Sequence, residues 1–150
     1  MRIVCDTNVL VRAALHPNGL ASELLRWIRR DHVSLTSTPL LAELLDVLRR
    51  DHIRALHQRD EQGTRRFVSR IFAWSTWVPV AAASPGIVPH DPKDDPILQT
   101  AIVGRADVLC TRDRHLFHPD VLVECARHGL RVVRDDDLLN ELRSGPATAP

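Results

Sequence analysis

Residues 1–13, MRIVCDTNVLVRA, place an aspartate directly after a short apolar run. Residues 2–5 have the composition of a buried β-strand, and the apolar residues of 9–15 predict a packed helix. Asp6, followed by Thr7 and Asn8, therefore stands where the strand ends. An acid at the carboxyl end of a buried strand is informative if other acids follow other strands, so the positions of the remaining acids matter.

Strands and helices are predicted to alternate along the rest of the chain. Four further strands are expected in the segments HVSLTS, WVPVAAA, DVLCT and LRVV, each with a helix before it. One long helical segment, 51–77, is expected to break around Gly63, and helices are expected at 96–105, at 121–128 and in the segment DDDLLNELR. This alternation predicts an α/β fold with a parallel sheet covered by helices on both faces.

The length and composition are typical of one globular domain. The chain has 150 residues, of which 44% are hydrophobic and 26% charged. We expect residues 1–143 to form a single domain and residues 144–150 to form a disordered tail. No apolar run is long enough for a membrane span, the first residues lack a signal-peptide pattern, and the three cysteines have no metal-ligand spacing. The sequence therefore predicts a cytoplasmic protein without a membrane partner.

The net charge of +1 conceals a local excess of arginine. Lys93 is the only lysine, and seven arginines lie between Arg49 and Arg70 against three acids. Such a row is typical of a solvated helical face. It also suits phosphate, because a guanidinium group binds phosphate oxygens in pairs, and it suits contacts with a protein partner. The sequence leaves these interpretations open.

Several acids are expected near one edge of the sheet. In open parallel sheets, ligands bind at the carboxyl ends of the strands. Asp6 follows the first strand and Asp113 follows the fourth. Asp94 and Asp95 lie at the entrance of the helix before that fourth strand. Glu43 lies at the border of the apolar face of the helix after the second strand. Four carboxylates from separate segments thus have a geometric route to one pocket.

Each of these acids also has a simpler structural explanation. Asp95 precedes a proline and is suited to cap a helix. Asp113 is suited to begin a turn, and Glu43 to pair with Arg50. Gathered together, however, carboxylates repel one another, and a hard divalent cation such as Mg²⁺ or Mn²⁺ removes that conflict. Such an ion can activate a water for hydrolysis of a phosphodiester.

Four segments of the chain resemble the PIN domain, and most closely the VapC-type toxin ribonucleases of bacterial toxin–antitoxin modules. They are VCDTNVLVRA, TSTPLLAELLDVLRR, HDPKDDPILQTAIVGRADVLCTRDRHLF and LRVVRDDDLLNEL, and the resemblance extends over nearly the whole chain, from Arg2 to about Leu142. The resemblance implies a three-layer α/β/α fold with a five-stranded parallel sheet of order 3-2-1-4-5. It also implies dependence on Mg²⁺ or Mn²⁺, cleavage of single-stranded RNA, a homodimer and a small antitoxin partner.

The resemblance also assigns site residues. The acids expected in catalysis and metal binding are Asp6, Glu43, Asp95 and Asp113. The residues expected to support them are Thr7, Asn8, Thr111 and Asp94, the last of which competes with Asp95 for one ligand position. The arginines that flank the acids, and are therefore expected to contact RNA phosphate, are Arg12, Arg112 and Arg114. We expect Glu43 to orient or deprotonate the attacking water while the aspartates hold one or two metal ions.

Two other functions are compatible with the sequence. An aspartyl-phosphate protein of similar architecture needs a lysine near its nucleophile, whereas Lys93 lies in a proline-rich loop. A catalytically inactive PIN-fold scaffold could bind RNA or a protein partner without cleaving RNA, because a small misplacement of one acid is enough to abolish catalysis.

Overall fold

Strands and helices alternate along the chain, as the sequence predicts. The structure is a computed structural model that describes residues 1–80 and 95–145, with only the backbone of Asp95. Within those residues the strands are β1 (Arg2–Cys5), β2 (Val33–Thr36), β3 (Thr76–Trp77), β4 (Val108–Cys110) and β5 (Arg131–Val133). The helices are α1 (Thr7–Leu15), α2 (Leu20–Asp31), α3 (Thr38–Arg49), α4 (Asp51–His57), α5 (Glu61–Trp74), α6 (Asp95–Val103), α7 (Pro119–Arg127) and α8 (Asp135–Ser144), with a 3₁₀ turn at Arg114–Phe117.

The five strands form one parallel sheet of order β3-β2-β1-β4-β5, which confirms the predicted topology. β1 is central: Val4 lies opposite Leu35 of β2 on one side and Leu109 of β4 on the other. The chain builds outward from β1 to β3, then returns to the opposite side of β1 to add β4 and β5. The strand order therefore reverses between β1 and β4, and the carboxyl edge at that point is where an open parallel sheet binds its ligand.

Each face of the sheet is covered by its own apolar layer. Successive residues of a strand point to opposite faces. Ile3 and Cys5 accordingly pack against apolar residues of α1, α2, α3, α5 and α8. Val4 packs with α6, α7 and the 3₁₀ turn on the other face. Ile3 and Val4 are both fully buried. These layers confirm the predicted three-layer α/β/α arrangement.

The helical segment after α3 breaks earlier than the sequence predicts. The break lies at residues 58–60 and not around Gly63. Gln58 has a positive φ of 55°, which ends α4. Asp60 then accepts a hydrogen bond from the Gly63 N–H at 2.6 Å and caps α5. Gly63 is therefore inside the first turn of a helix.

β3 is shorter than the predicted strand WVPVAAA and begins one residue earlier. The Val78 N–H still donates to the Thr36 carbonyl at 2.8 Å. Pro79, which has no N–H, cannot continue the ladder, so the strand ends before it. Residues 81–83 of the predicted strand lie outside the described residues. β3 is an edge strand, which is the position that a nearby proline predicts.

The carboxyl-terminal boundary also differs slightly from the prediction. α8 extends to Ser144, one residue into the predicted tail. The Ser144 hydroxyl group donates to the Asn140 carbonyl one turn earlier, at 2.9 Å. Residues 146–150 lie outside the described residues, so the disordered tail and the exact domain limit stay predictions.

The cysteines have the structural role expected from the sequence. Cys5 and Cys110 lie opposite each other on β1 and β4, and all three cysteines are buried and free. In the two described ranges, every helix is too short or too polar to cross a membrane.

Candidate metal centre

Asp6 lies at the carboxyl end of the central strand, between β1 and the first turn of α1. Its N–H donates to the Cys110 carbonyl at 2.9 Å, and its own carbonyl accepts from the N–H groups of Val9 and Leu10 at 3.0 and 3.2 Å. The backbone of Asp6 is therefore fixed by both β4 and α1. The half-buried side chain of Asp6 does not cap α1, so its carboxylate oxygens are available to other partners.

Two buried threonines bind the acids. Thr111, directly after β4, donates from Oγ1 to Asp6 Oδ2 at 2.6 Å and accepts from the Asp113 N–H at 3.0 Å. Thr7 donates from Oγ1 to Glu43 Oε2 at 2.8 Å. Because Thr7 and Thr111 are 2% and 0% exposed, water does not compete for their hydroxyl groups. Thr111 thus contacts Asp6 directly, whereas Thr7, which the resemblance places in support of Asp6, binds Glu43.

The acids influence one another electrostatically. The pKa of the Asp6 carboxyl is raised above its ordinary value, chiefly by burial and further by the negative charges of Glu43 and Asp113. The hydrogen bond from Thr111 and the nearby N–H of Asn8 act in the opposite direction. The charges of Glu43 and Asp113, from two other segments, thus disfavour ionisation of Asp6, which is the kind of conflict that a divalent cation relieves.

No ion pair within the described residues neutralises these three acids. Among the ion pairs of the described residues, none includes Asp6, Glu43 or Asp113. Arg50 binds Asp46 at 3.1 Å and not Glu43. Asp113 does begin the 3₁₀ turn, because its Oδ1 accepts the N–H of His115 at 3.0 Å. That turn occupies one oxygen of Asp113, and the other accepts no hydrogen bond from the residues that the structure describes.

The remaining acids of the predicted set are described only in part. α6 begins at Asp95, so the backbone of that residue lies at the entrance of a helix, as predicted. Asp94 and the side chain of Asp95 fall outside the described residues. Among the described residues, no three carboxylate, imidazole or thiol groups are grouped tightly enough to enclose a metal ion, and this includes Asp6, Glu43 and Asp113. These three acids are therefore a candidate all-oxygen donor set that the described residues do not complete into a metal cage.

Two of the three arginines predicted to contact phosphate bind a protein carboxylate. Asp135, the first residue of α8, has a completely buried side chain. Its Oδ2 pairs with Arg12 and its Oδ1 with Arg112. The hydrogen bond that Arg112 donates to the Asp135 carboxylate raises the pKa of Arg112 above its ordinary value. About a third of each arginine side chain stays exposed, 37% for Arg12 and 36% for Arg112. Arg114 is exposed and has no carboxylate partner among the described residues.

Asp135 was not singled out by the sequence analysis, although a signal for it exists. It stands two positions after the end of β5, with Arg134 between them, and Asp6 stands directly after the end of β1. Since ligands of an open parallel sheet bind at the carboxyl ends of its strands, Asp135 is a candidate site residue on the same grounds as Asp6. The run Asp135–Asp137 has the composition of the acidic first turn of an ordinary helix. This pattern alone does not indicate that Asp135 binds two arginines.

A cavity of about 650 Å³ lies away from the acids, in a groove between α2 and α5. Its rim carries Arg26, Arg29 and Arg70, and its floor is apolar, with Phe67 and Trp74 among the lining residues. Since no acid, histidine or cysteine lines this groove, it offers no group for hydrolytic chemistry. It is better suited to contact with another molecule.

Comparison with known proteins agrees with this fold. The chain belongs to the PIN domain family, whose family model matches residues 2–115. PIN domains are generally nucleases. The fold is similar to that of a chain in the crystal structure of VapBC2 from Rickettsia felis bound to a DNA fragment from their promoter. The TM-score is 0.57 at 14% identity, over 89% of this chain and 98% of that chain, so the likeness shows the fold. No curated protein sequence matches the chain.

Proposed function

We propose that the protein is a metal-dependent endoribonuclease that hydrolyses phosphodiester bonds of single-stranded RNA. The observation that carries this proposal is that the acids Asp6, Glu43 and Asp113 come together at the carboxyl edge where the strand order reverses, tied through the hydroxyl groups of two buried threonines. These acids have no cationic partner among the described residues. Membership of a family of nucleases supports the reaction class.

The donor set suits Mg²⁺ or Mn²⁺. It contains only carboxylate oxygens, which hard cations prefer, and it is open, as suits an ion that keeps several waters and binds substrate phosphate. We assign the metal to Asp6, Asp95 and Asp113, with Asp94 as the alternative to Asp95. When bound, such an ion supplies Lewis acidity and lowers the pKa of a water.

Each residue of the site then has a separate task. Glu43, oriented by Thr7 at 2.8 Å, positions the attacking water and takes up its proton. Thr111 holds the Asp6 carboxylate and the Asp113 backbone in register through hydrogen bonds at 2.6 and 3.0 Å. Arg114 and the exposed parts of Arg12 and Arg112 bind RNA phosphate oxygens.

We further propose that the protein acts in the cytoplasm as the toxin of a toxin–antitoxin pair. The likeness to a chain of VapBC2 supports a small antitoxin partner. The groove between α2 and α5 has the apolar floor and arginine rim that an acidic amphipathic segment would complement. A homodimer is supported by exposed apolar side chains outside the groove, among them Phe72, Trp77 and Val103.

Cleavage of a 5′-labelled single-stranded RNA tests the proposed reaction. Metal-depleted protein should be inactive, and Mg²⁺ or Mn²⁺ should restore cleavage. Asp6→Asn should lower the rate by about a thousandfold or more, whereas Asp120→Asn, which changes an acid with 73% exposure, should have no effect. An Asp6→Asn protein that cuts at the wild-type rate would contradict the proposal. A wild-type protein that binds RNA and never cuts it would support the scaffold alternative.

A further inference from the structure

Asp135 joins the two segments that carry the acids Asp6 and Asp113. Arg12 lies on α1, which begins directly after Asp6, and Arg112 directly precedes Asp113. Both guanidinium groups are bound to the same carboxylate, one to each oxygen. α8, which supplies that carboxylate, otherwise packs against α2 on the same face of the sheet as α1.

The arginines held by Asp135 belong to the segments that carry the acids. Arg112 is the residue before Asp113, whose N–H donates to Thr111 Oγ1, and the same hydroxyl group donates to Asp6. Among the described residues, neither Arg12 nor Arg112 pairs with Asp6, Glu43 or Asp113.

The binding of both arginines to Asp135 is strongly favoured. A fully buried carboxylate is costly unless its oxygens are paired, and each oxygen of Asp135 has one guanidinium. The Asp136 N–H adds a hydrogen bond to Oδ1 at 3.1 Å. Without this counter-ion, Arg12 has no carboxylate partner among the described residues and Arg112 keeps only Asp136, at 3.6 Å, so both are drawn toward the uncompensated acids. An arginine beside an acid raises the acid dissociation constant of that carboxyl group by about ten- to a thousandfold. A metal cation would have to displace the arginine in order to bind the same carboxylate.

We propose that Asp135 is a positioning residue that withholds Arg12 and Arg112 from the acid site and thereby keeps its carboxylates available to a divalent cation. The inference rests on the proposed function, because it requires that these acids bind such an ion. It assigns to Asp135 a role beyond joining α8 to α1. In a purely structural role, the loss of Asp135 would lower stability and leave the metal affinity of the folded protein unchanged.

Calorimetric titration of metal-free protein with Mn²⁺ tests the inference without using catalysis. Asp135→Asn should weaken Mn²⁺ binding by about tenfold, because two arginines are released beside the acids. The all-amide variant Arg12→Gln/Arg112→Gln/Asp135→Asn should regain wild-type affinity, because no arginine is left to compete. Asp137→Asn removes an exposed acid from the same first turn of α8 and is the matched control, for which no change is expected.

Each outcome separates the two proposals. Unchanged Mn²⁺ affinity in Asp135→Asn, or an equal loss in the all-amide variant, would overturn the inference and leave the proposed function intact. Wild-type protein that binds no Mn²⁺ would overturn both. If Asp135→Asn does not fold, Arg12→Gln/Asp135→Asn, which retains one released arginine, should bind Mn²⁺ more weakly than the all-amide variant. Equal affinities in that pair would overturn the inference.

Discussion

Thr111 is the side chain that links two of the acids. Its hydroxyl group donates to Asp6 and accepts from the backbone of Asp113, and it is completely buried. Valine has nearly the same shape and can replace neither hydrogen bond. The Asp6 carboxylate would then lose the partner that opposes the rise in its pKa. The orientation of a metal ligand therefore depends on a residue that does not itself need to touch the metal.

Thr111→Val is expected to lower RNA cleavage by about 10- to 100-fold, the usual effect of removing a hydrogen bond that orients a metal ligand. The rate should recover in part at high Mn²⁺ concentration, since metal binding is weakened and not abolished. Thr64→Val, which changes a buried threonine on α5 away from the acids, is the matched control. Equal rates for the two variants would show that Thr111 does not orient the site.

The raised pKa of Asp6 predicts how metal-free stability depends on pH. The folded protein binds the Asp6 proton more tightly than the unfolded chain does, so ionised Asp6 lowers stability at neutral pH. In EDTA, Asp6→Asn should therefore raise the free energy of unfolding at neutral pH. The difference should shrink as the pH falls through the raised pKa and vanish below the ordinary aspartate pKa, where the carboxyl is protonated in both states. Urea unfolding at several pH values measures it, and a destabilised Asp6→Asn protein at neutral pH would disagree with this account.

α6 is the element that carries Asp95, and its position depends on a close contact at its other end. A Cβ on Gly104 would lie 2.6 Å from the Thr100 carbonyl oxygen and 2.9 Å from side-chain atoms of Leu35 and Val78. Only glycine lets the end of α6 approach β2 so closely. The Gly104 carbonyl also accepts two hydrogen bonds from the Arg2 guanidinium, at 2.9 and 2.8 Å. The chain around residue 104 is thus fixed to the sheet.

Gly104→Ala is expected to lower the free energy of unfolding by about 1–3 kcal/mol, the usual cost of overpacking at a site that cannot expand. Urea unfolding measures this change. Val103→Ala, one residue away at a side chain that is 54% exposed, should change stability by less than about 0.5 kcal/mol. A Gly104→Ala protein as stable as the wild type would mean that α6 can shift away from β2 at little cost.

At the level of the whole molecule, sequence patterns predicted the topology better than the local boundaries. Alternating strands and helices, together with the resemblance to the PIN domain, were enough for the sheet order. The break before α5 was misplaced because a glycine is a weaker signal than the Asp60 cap that actually starts the helix. β3 was predicted too long because the apolar run continues past Pro79, whereas the strand ends before that proline.

The placement of the described candidate acids was predictable to a similar degree. The rule that acids follow strands located Asp6 and Asp113, and helical periodicity placed Glu43 near them. The same rule did not reveal the pairing of Arg12 and Arg112 with Asp135, because that contact joins residues more than a hundred positions apart in one case. The pairing of each arginine with an acid depends on how α8 packs against the rest of the fold. That packing cannot be inferred from a single sequence.

An anomalous difference map from crystals grown with Mn²⁺ would show directly whether the gathered acids hold a cation. A strong peak is expected at the carboxyl edge between β1 and β4, within coordination distance of Asp6 and Asp113 oxygens, and it should be lost in crystals of Asp6→Asn. A map with no peak at that edge, or with its strongest peak on side chains elsewhere, would contradict the account.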